Sequence, residues 1–125
     1  MNKNIILIVI GVVLSSLVLA ACAAGSPSDF GFPTGKFVWE GSDLQGIYLN
    51  EDKTWSAFYY GESVDEGTFK VTEDLYTQET SRECPSPATY EWSFDGTNLK
   101  FKLRGEDTCD IRRESFDGQT FILTK

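Results

Sequence analysis

Turn-forming residues recur about every ten positions from Gly35 onward, and that interval limits what the chain can build. They fall at Gly41-Ser42-Asp43, Glu51-Asp52-Lys53, Gly61-Glu62-Ser63, Glu73-Asp74, Pro85-Ser86-Pro87, Asp95-Gly96-Thr97, Gly105-Glu106-Asp107 and Asp117-Gly118. Such spacing leaves room for short strands and none for long helices. The runs between the turns are rich in β-branched and aromatic residues, as strands are. Two runs alternate cleanly. Tyr90, Trp92 and Phe94 face one way and Thr89, Glu91 and Ser93 the other; Leu99, Phe101 and Leu103 are opposed in the same manner to Lys100, Lys102 and Arg104. A period of two marks a half-buried antiparallel strand. Asp95-Gly96 between the two runs is a hairpin signal, because glycine accepts the positive φ of a tight turn.

The remaining strands read as Lys36–Glu40, Gln45–Asn50, Thr54–Tyr60, Glu66–Thr72, Leu75–Thr80 and Gln119–Thr124, with Asp110–Phe116 as one turn of helix or a bend. The expected fold is all-β: a small antiparallel up-and-down barrel of about eight strands, which would leave no sheet edge open. An open β-sandwich is the alternative.

The first 21 residues differ from the rest. Lys3 supplies a positive start, and Ile5–Ala21 is continuously apolar or small. As a helix this stretch would span about 26 Å, short of a comfortable membrane span. Leu19-Ala20-Ala21-Cys22 follows, and it resembles the lipobox of bacterial lipoproteins. The resemblance implies a helical signal peptide over 1–21, removal of that peptide, and acylation of Cys22 by diacylglyceryl transfer and an N-linked chain such as palmitate. The expected partner is then the lipid bilayer, and the expected location the extracytoplasmic face of a bacterial membrane in the cell envelope. An uncleaved helical anchor is the competing reading. Residues 22–34, with Ala23-Ala24-Gly25-Ser26-Pro27-Ser28, read as a flexible tether. Phe30 and Phe32 are unusual in a tether and are candidates to dock on the domain at 35–125.

Charge and composition remove several function classes. The chain carries nineteen acidic and eleven basic side chains, net −8, and no histidine. An acidic domain has no electrostatic footprint for nucleic acid. Without histidine, the commonest general base, the usual triads and most zinc sites are missing. No nucleophile elbow, phosphate loop or metal-ligand cluster is present, so no catalytic residue, metal or cofactor is assigned and no enzyme activity is expected. Glu62–Gly67 and Glu106–Asp110 lack the ligand spacing of a calcium loop and read as solvated turns.

With Cys22 acylated, Cys84 and Cys109 are left as an even pair in an exported domain, and a disulfide is the natural reading. A reactive or metal-binding pair is the weaker alternative, since the spacing fits no metal motif.

Gly46-Ile47-Tyr48-Leu49, Glu51-Asp52-Lys53-Thr54-Trp55, Glu66-Gly67-Thr68-Phe69, Cys84 in its Pro-rich loop, Ala88–Gly96, Leu99-Lys100-Phe101 and Asp107–Arg113 together resemble small exported lipocalin-like domains of the calycin type. The likeness rests on turns and core residues and carries no catalytic motif. It implies a binding barrel in which a tryptophan of the first strand packs on an arginine from the barrel's end. Trp39 with Arg112 or Arg113 would play those parts; otherwise the arginines are solvated and balance Glu106, Asp107 and Asp110. Tyr48, Trp55, Tyr59, Tyr90 and Trp92 are the candidates to line a ligand pocket, although ordinary core packing uses the same residues. The expected function is a lipocalin-like binding module for a small apolar ligand. The alternative is a protein-binding envelope lipoprotein of the lysozyme-inhibitor or surface-interaction type, acting through the loop Ser81–Pro87.

Overall fold

Asp95 accepts hydrogen bonds from the backbone N–H groups of Thr97 and Asn98 and from the Asn98 side-chain amide. These donors hold its carboxyl at about 2 and fix the turn, with Gly96 at φ 101°. The hairpin read from Asp95-Gly96 is therefore present, between β6 (Ala88–Phe94) and β7 (Asn98–Arg104). The structure, a computed structural model, describes residues 30–125. The leader, the lipobox and Cys22 lie outside them.

The other strands are β1 (Gly35–Trp39), β2 (Ser42–Leu49), β3 (Thr54–Tyr59), β4 (Glu62–Val71), β5 (Leu75–Gln78) and β8 (Thr120–Leu123), with one helix, α1 (Asp110–Phe116), before the last. Each strand pairs antiparallel with the next, and β8 returns to β1 through Trp39↔Phe121 and Phe37↔Leu123. The sheet is a closed eight-stranded up-and-down barrel, so every strand edge is paired. The alternative sandwich is not formed.

Several boundaries differ from the sequence reading: β2 already begins at Ser42, β5 stops at Gln78, and the start of β4 moves furthest. Glu62–Gly67 is not a solvated turn: β4 begins at Glu62, and the reversal is made by Tyr60-Gly61 alone, both at positive φ (52° and 81°). A two-residue hairpin needs that backbone, but tyrosine is a poor advertisement for it.

The core is aromatic. Phe37, Phe69, Tyr76, Tyr90, Leu99 and Phe101 are fully buried or nearly so, and Phe116 of α1 packs on Tyr76, Tyr90, Phe101 and Phe121 with ring centroids 5.3–6.4 Å apart. The two ends of the barrel are closed differently. At the end holding the turns 50–53, 72–74 and 95–97, Phe32 enters the barrel against Phe69, Tyr76 and Trp92. Phe32 and Pro33 are buried, while Phe30 is half exposed. The expected docking thus belongs to Phe32, not Phe30.

At the opposite end lie α1 and the long loop 79–87, joined by a disulfide between Cys84 and Cys109. Gly67 makes the seating of this loop possible. A side chain there would meet the Thr80 carbonyl oxygen 1.9 Å from its Cβ, and the Trp55 indole crosses the same region to donate to that carbonyl at 3.1 Å.

Candidate functional site

The floor beneath the loop-and-helix end is set by two residues of β5. Tyr76 and Gln78 are one side chain apart on the inner face, and the Gln78 amide Nε2 donates to the Tyr76 hydroxyl at 3.2 Å. Both are completely buried. Burial pushes the Tyr76 hydroxyl well above its ordinary value, a rise only partly offset by Gln78 and Arg112, so it stays neutral.

Arg112 reaches the same region from α1. Its Nε and Nη2 form a two-pronged pair with the Asp107 carboxylate at 2.8 and 2.7 Å, and Nη2 also donates to the Ser86 carbonyl at 2.7 Å. Both side chains are nearly excluded from solvent, 3% for Arg112 and 0% for Asp107. The Tyr90 hydroxyl donates to the same carboxylate, and Asp107 accepts the Cys109 N–H as well. Burial alone would raise the Asp107 carboxyl; Arg112, Tyr90 and the Cys109 N–H outweigh it and hold the group below its ordinary range. Burial and then the bond to Asp107 raise Tyr90. A buried ion pair needs this many partners to be tolerated.

Above this polar floor the barrel is hollow. A cavity of about 600 Å³ is walled by Trp39 of β1, Ile47 of β2, Trp55, Ala57 and Tyr59 of β3, and Phe116 and Phe121 on the far side. Gln78 and Arg112 reach it from below, and Asp65, Glu83 and Glu114 belong to its lining. Its rim carries the solvent-exposed side chains Tyr59, Val64 and Ile111, which mark the mouth. The volume is in the range of small-molecule sites, as is the mixture of apolar wall and few polar groups.

Three buried polar side-chain atoms lack a hydrogen-bond partner among the described residues: Gln78 Oε1, Arg112 Nη1 and Trp92 Nε1. The first two belong to side chains that line the cavity. Buried polar atoms are seldom left so, and two of opposite character at one cavity are informative.

The residues singled out in the sequence divide. Trp55 and Tyr59 line the cavity. Tyr90 lies behind it, occupied with Asp107. Tyr48 is on the outer wall, where it packs against Phe58 and under Lys36, because strand alternation puts Ile47 and Leu49 inside. Trp92 faces inward at the opposite end, against Phe32. The Trp39–Arg112 stack does not form. The Trp39 indole N–H donates to Gln119 at 2.9 Å and its ring covers Gly41, while Asp107 claims Arg112. Arg113 bonds Asp110 and the Asp107 carbonyl. Sequence reasoning missed Gln78, Asp65 and the central role of Asp107. The one available signal was an aspartate five positions before an arginine at the start of a helix.

The loop 79–87 is bound down along its length. Asp65 accepts from the Ser81 hydroxyl at 2.6 Å and from the N–H groups of Arg82 and Glu83 at 2.9 and 3.3 Å; Cys84 is bridged and Ser86 holds Arg112. No group of three or more histidine, cysteine, aspartate or glutamate side chains among the described residues is placed to hold a metal. The sequence matches no family model, and no curated protein or solved structure is significantly similar to it.

Proposed function

We propose that this protein is a membrane-anchored, extracytoplasmic binding module that takes a small, largely apolar ligand into the cavity at the loop-and-helix end of its barrel. The carrying observation is the contrast between the two ends. Phe32 fills one, whereas the other keeps a hollow of about 600 Å³ with unpaired buried polar atoms beneath it. A barrel of eight strands can be filled by its own side chains, so a preserved hollow supports binding over simple scaffolding. The protein-blocking alternative calls for a packed barrel with one rigid projecting loop; the loop 79–87 is exposed and held by Asp65, Cys109 and Arg112, but the barrel beneath it keeps a hollow and is not packed.

Two measurements test the reading. Native mass spectrometry of the protein purified from its own host is expected to show a bound small molecule that is absent from an Ala57→Phe variant, whose larger side chain occupies the hollow. A wild-type protein free of any adduct, and equally indifferent to added ligands, would count against it. The anchor is tested separately. A Cys22→Ser chain is expected to leave the membrane fraction or to persist as unprocessed precursor, because the acyl chains supply the attachment. Unchanged membrane partition together with unchanged mass would overturn that half of the proposal.

A further inference from the structure

Resting on the cavity as a ligand site, we infer that it selects an organic cation: a protonated amine carried on an aromatic or alicyclic body.

The hollow makes the site, and the groups that its walls leave open set the chemistry. The unmatched atoms of Gln78 and Arg112 are closed off from solvent, so they select nothing there. Other donors are already engaged. The Trp39 indole N–H is bonded to Gln119 and that of Trp55 to the Thr80 carbonyl, and the Ser115 hydroxyl donates to the Ile111 carbonyl. The two indoles therefore offer a ligand carbon surface and π-electrons only, as do Phe58, Phe116 and Phe121. Rings of this kind attract a cation lying over them. The remaining side-chain donors of the lining, Gln45 and Tyr59, carry no charge.

The charge left open in the lining has one sign. Asp65, Glu83 and Glu114 belong to it, while its one cation, Arg112, is neutralised through two bonds to Asp107. Asp65 uses both oxygens on Ser81, Arg82 and Glu83 and acts on the hollow through its charge alone. Glu83 lies 3.6 Å from Arg82, with both side chains half exposed, and such a pair is weak. Glu114 has no hydrogen bond or ion pair among the described residues. It stands three positions from the rim residue Ile111 on α1, hence on the same face of the helix. A carboxylate ligand would meet three like charges and no open cation. A neutral ligand would gain from the walls alone. A cation gains from the rings, from Glu114 and from the field of a chain of net charge −8. Its apolar body fills the hollow, and the ammonium stays at the mouth, where it keeps part of its hydration and avoids the cost of full burial.

The test uses probes with one body and different ends: naphthalen-2-ylmethanamine, naphthalen-2-ylmethanol and 2-naphthoate. Each is titrated calorimetrically at pH 7 into the full chain held in phosphatidylcholine nanodiscs, with empty nanodiscs as the blank. The amine is expected to bind about five- to tenfold more tightly than the alcohol, and the naphthoate most weakly. The advantage of the amine is expected to shrink as salt is raised. Glu114→Gln is expected to weaken the amine about threefold and to leave the alcohol unchanged. Glu106→Gln, the same change of charge on an exposed residue outside the lining, is expected to change neither. Ala57→Phe is expected to abolish binding of all the probes. Equal affinity for amine and alcohol, tightest binding of the naphthoate, or equal losses in Glu114→Gln and Glu106→Gln would overturn the charge preference and leave the cavity as a binding site. Amine binding that survives Ala57→Phe would put the cation on the outer surface and overturn the inference as well. No binding by any probe would overturn both the charge preference and the site.

Discussion

An Asp107→Ala variant is expected to lose about 3–5 kcal/mol of stability, the usual cost of stranding one member of a buried ion pair. That is a large part of the roughly 5–15 kcal/mol by which small domains are stable at all. Asp107 is the acceptor for Arg112, Tyr90 and the Cys109 N–H together, so its removal leaves a buried guanidinium without its main partner. Urea denaturation at pH 7 measures the loss. The double variant Asp107→Leu/Arg112→Met is expected to regain much of it, because an apolar pair of similar volume carries no desolvation cost. A double variant no more stable than the single would show that packing, not charge, was lost.

The same group gives the wild type an acid limb. Its carboxyl is lower in the folded protein than the ordinary aspartate value of about 3.9 in the unfolded chain. The unfolded state therefore binds the proton first, and the contribution is complete above about pH 4 and is lost as the pH falls further. Stability measured from pH 5 downward is expected to fall more steeply for wild type than for Asp107→Asn. Parallel curves would remove Asp107 as the cause.

Breaking the Cys84–Cys109 bridge is the second large effect expected. The bridge spans 25 positions, and closing a loop of that length in the unfolded chain is worth about 3 kcal/mol. In a domain of this size that corresponds to a melting midpoint lower by roughly 10–20 °C. The Cys84→Ser/Cys109→Ser variant and the reduced wild type should agree. A midpoint insensitive to reductant, with both thiols shown to be free, would contradict this. The effect is not additive with Asp107→Ala. The loop that Cys84 anchors also supplies the Ser86 carbonyl to Arg112, and groups that share a network couple.

The bridge and the strands were legible in the sequence for different reasons. Tyr90-Glu91-Trp92-Ser93-Phe94 and Leu99–Arg104 alternate because one face packs and the other meets water, and the pairing Trp92↔Phe101 follows directly. Asp110–Phe116 could be placed as a break in the strand pattern, and it forms a helix of seven residues. The start of β4 was hidden because Tyr60 occupies a turn position where asparagine or glycine is the usual signal. The site was less legible than the fold. A glutamine in a strand looks like a solvent-facing residue, and only the closed barrel turns Gln78 inward at a point where no neighbour completes it. Asp107 sits in Gly105-Glu106-Asp107, which reads as a solvated acidic turn until the disulfide and α1 fold over it. Trp55, Tyr59 and Tyr48 are candidates by aromatic character alone; alternation within the closed barrel then turns Trp55 and Tyr59 toward the hollow and leaves Tyr48 on the outer wall.

Phe32 gives the molecule a direction. The chain enters the barrel at the end that this ring seals, and the mouth lies a strand's length away. On the anchoring proposed above, the attachment joins the barrel at the pole opposite the opening, so the mouth is the part of the domain farthest along the barrel's axis from the point of attachment. A pull on the N-terminal side of the domain would load Phe32 first, and through it the rings of Phe69, Tyr76 and Trp92.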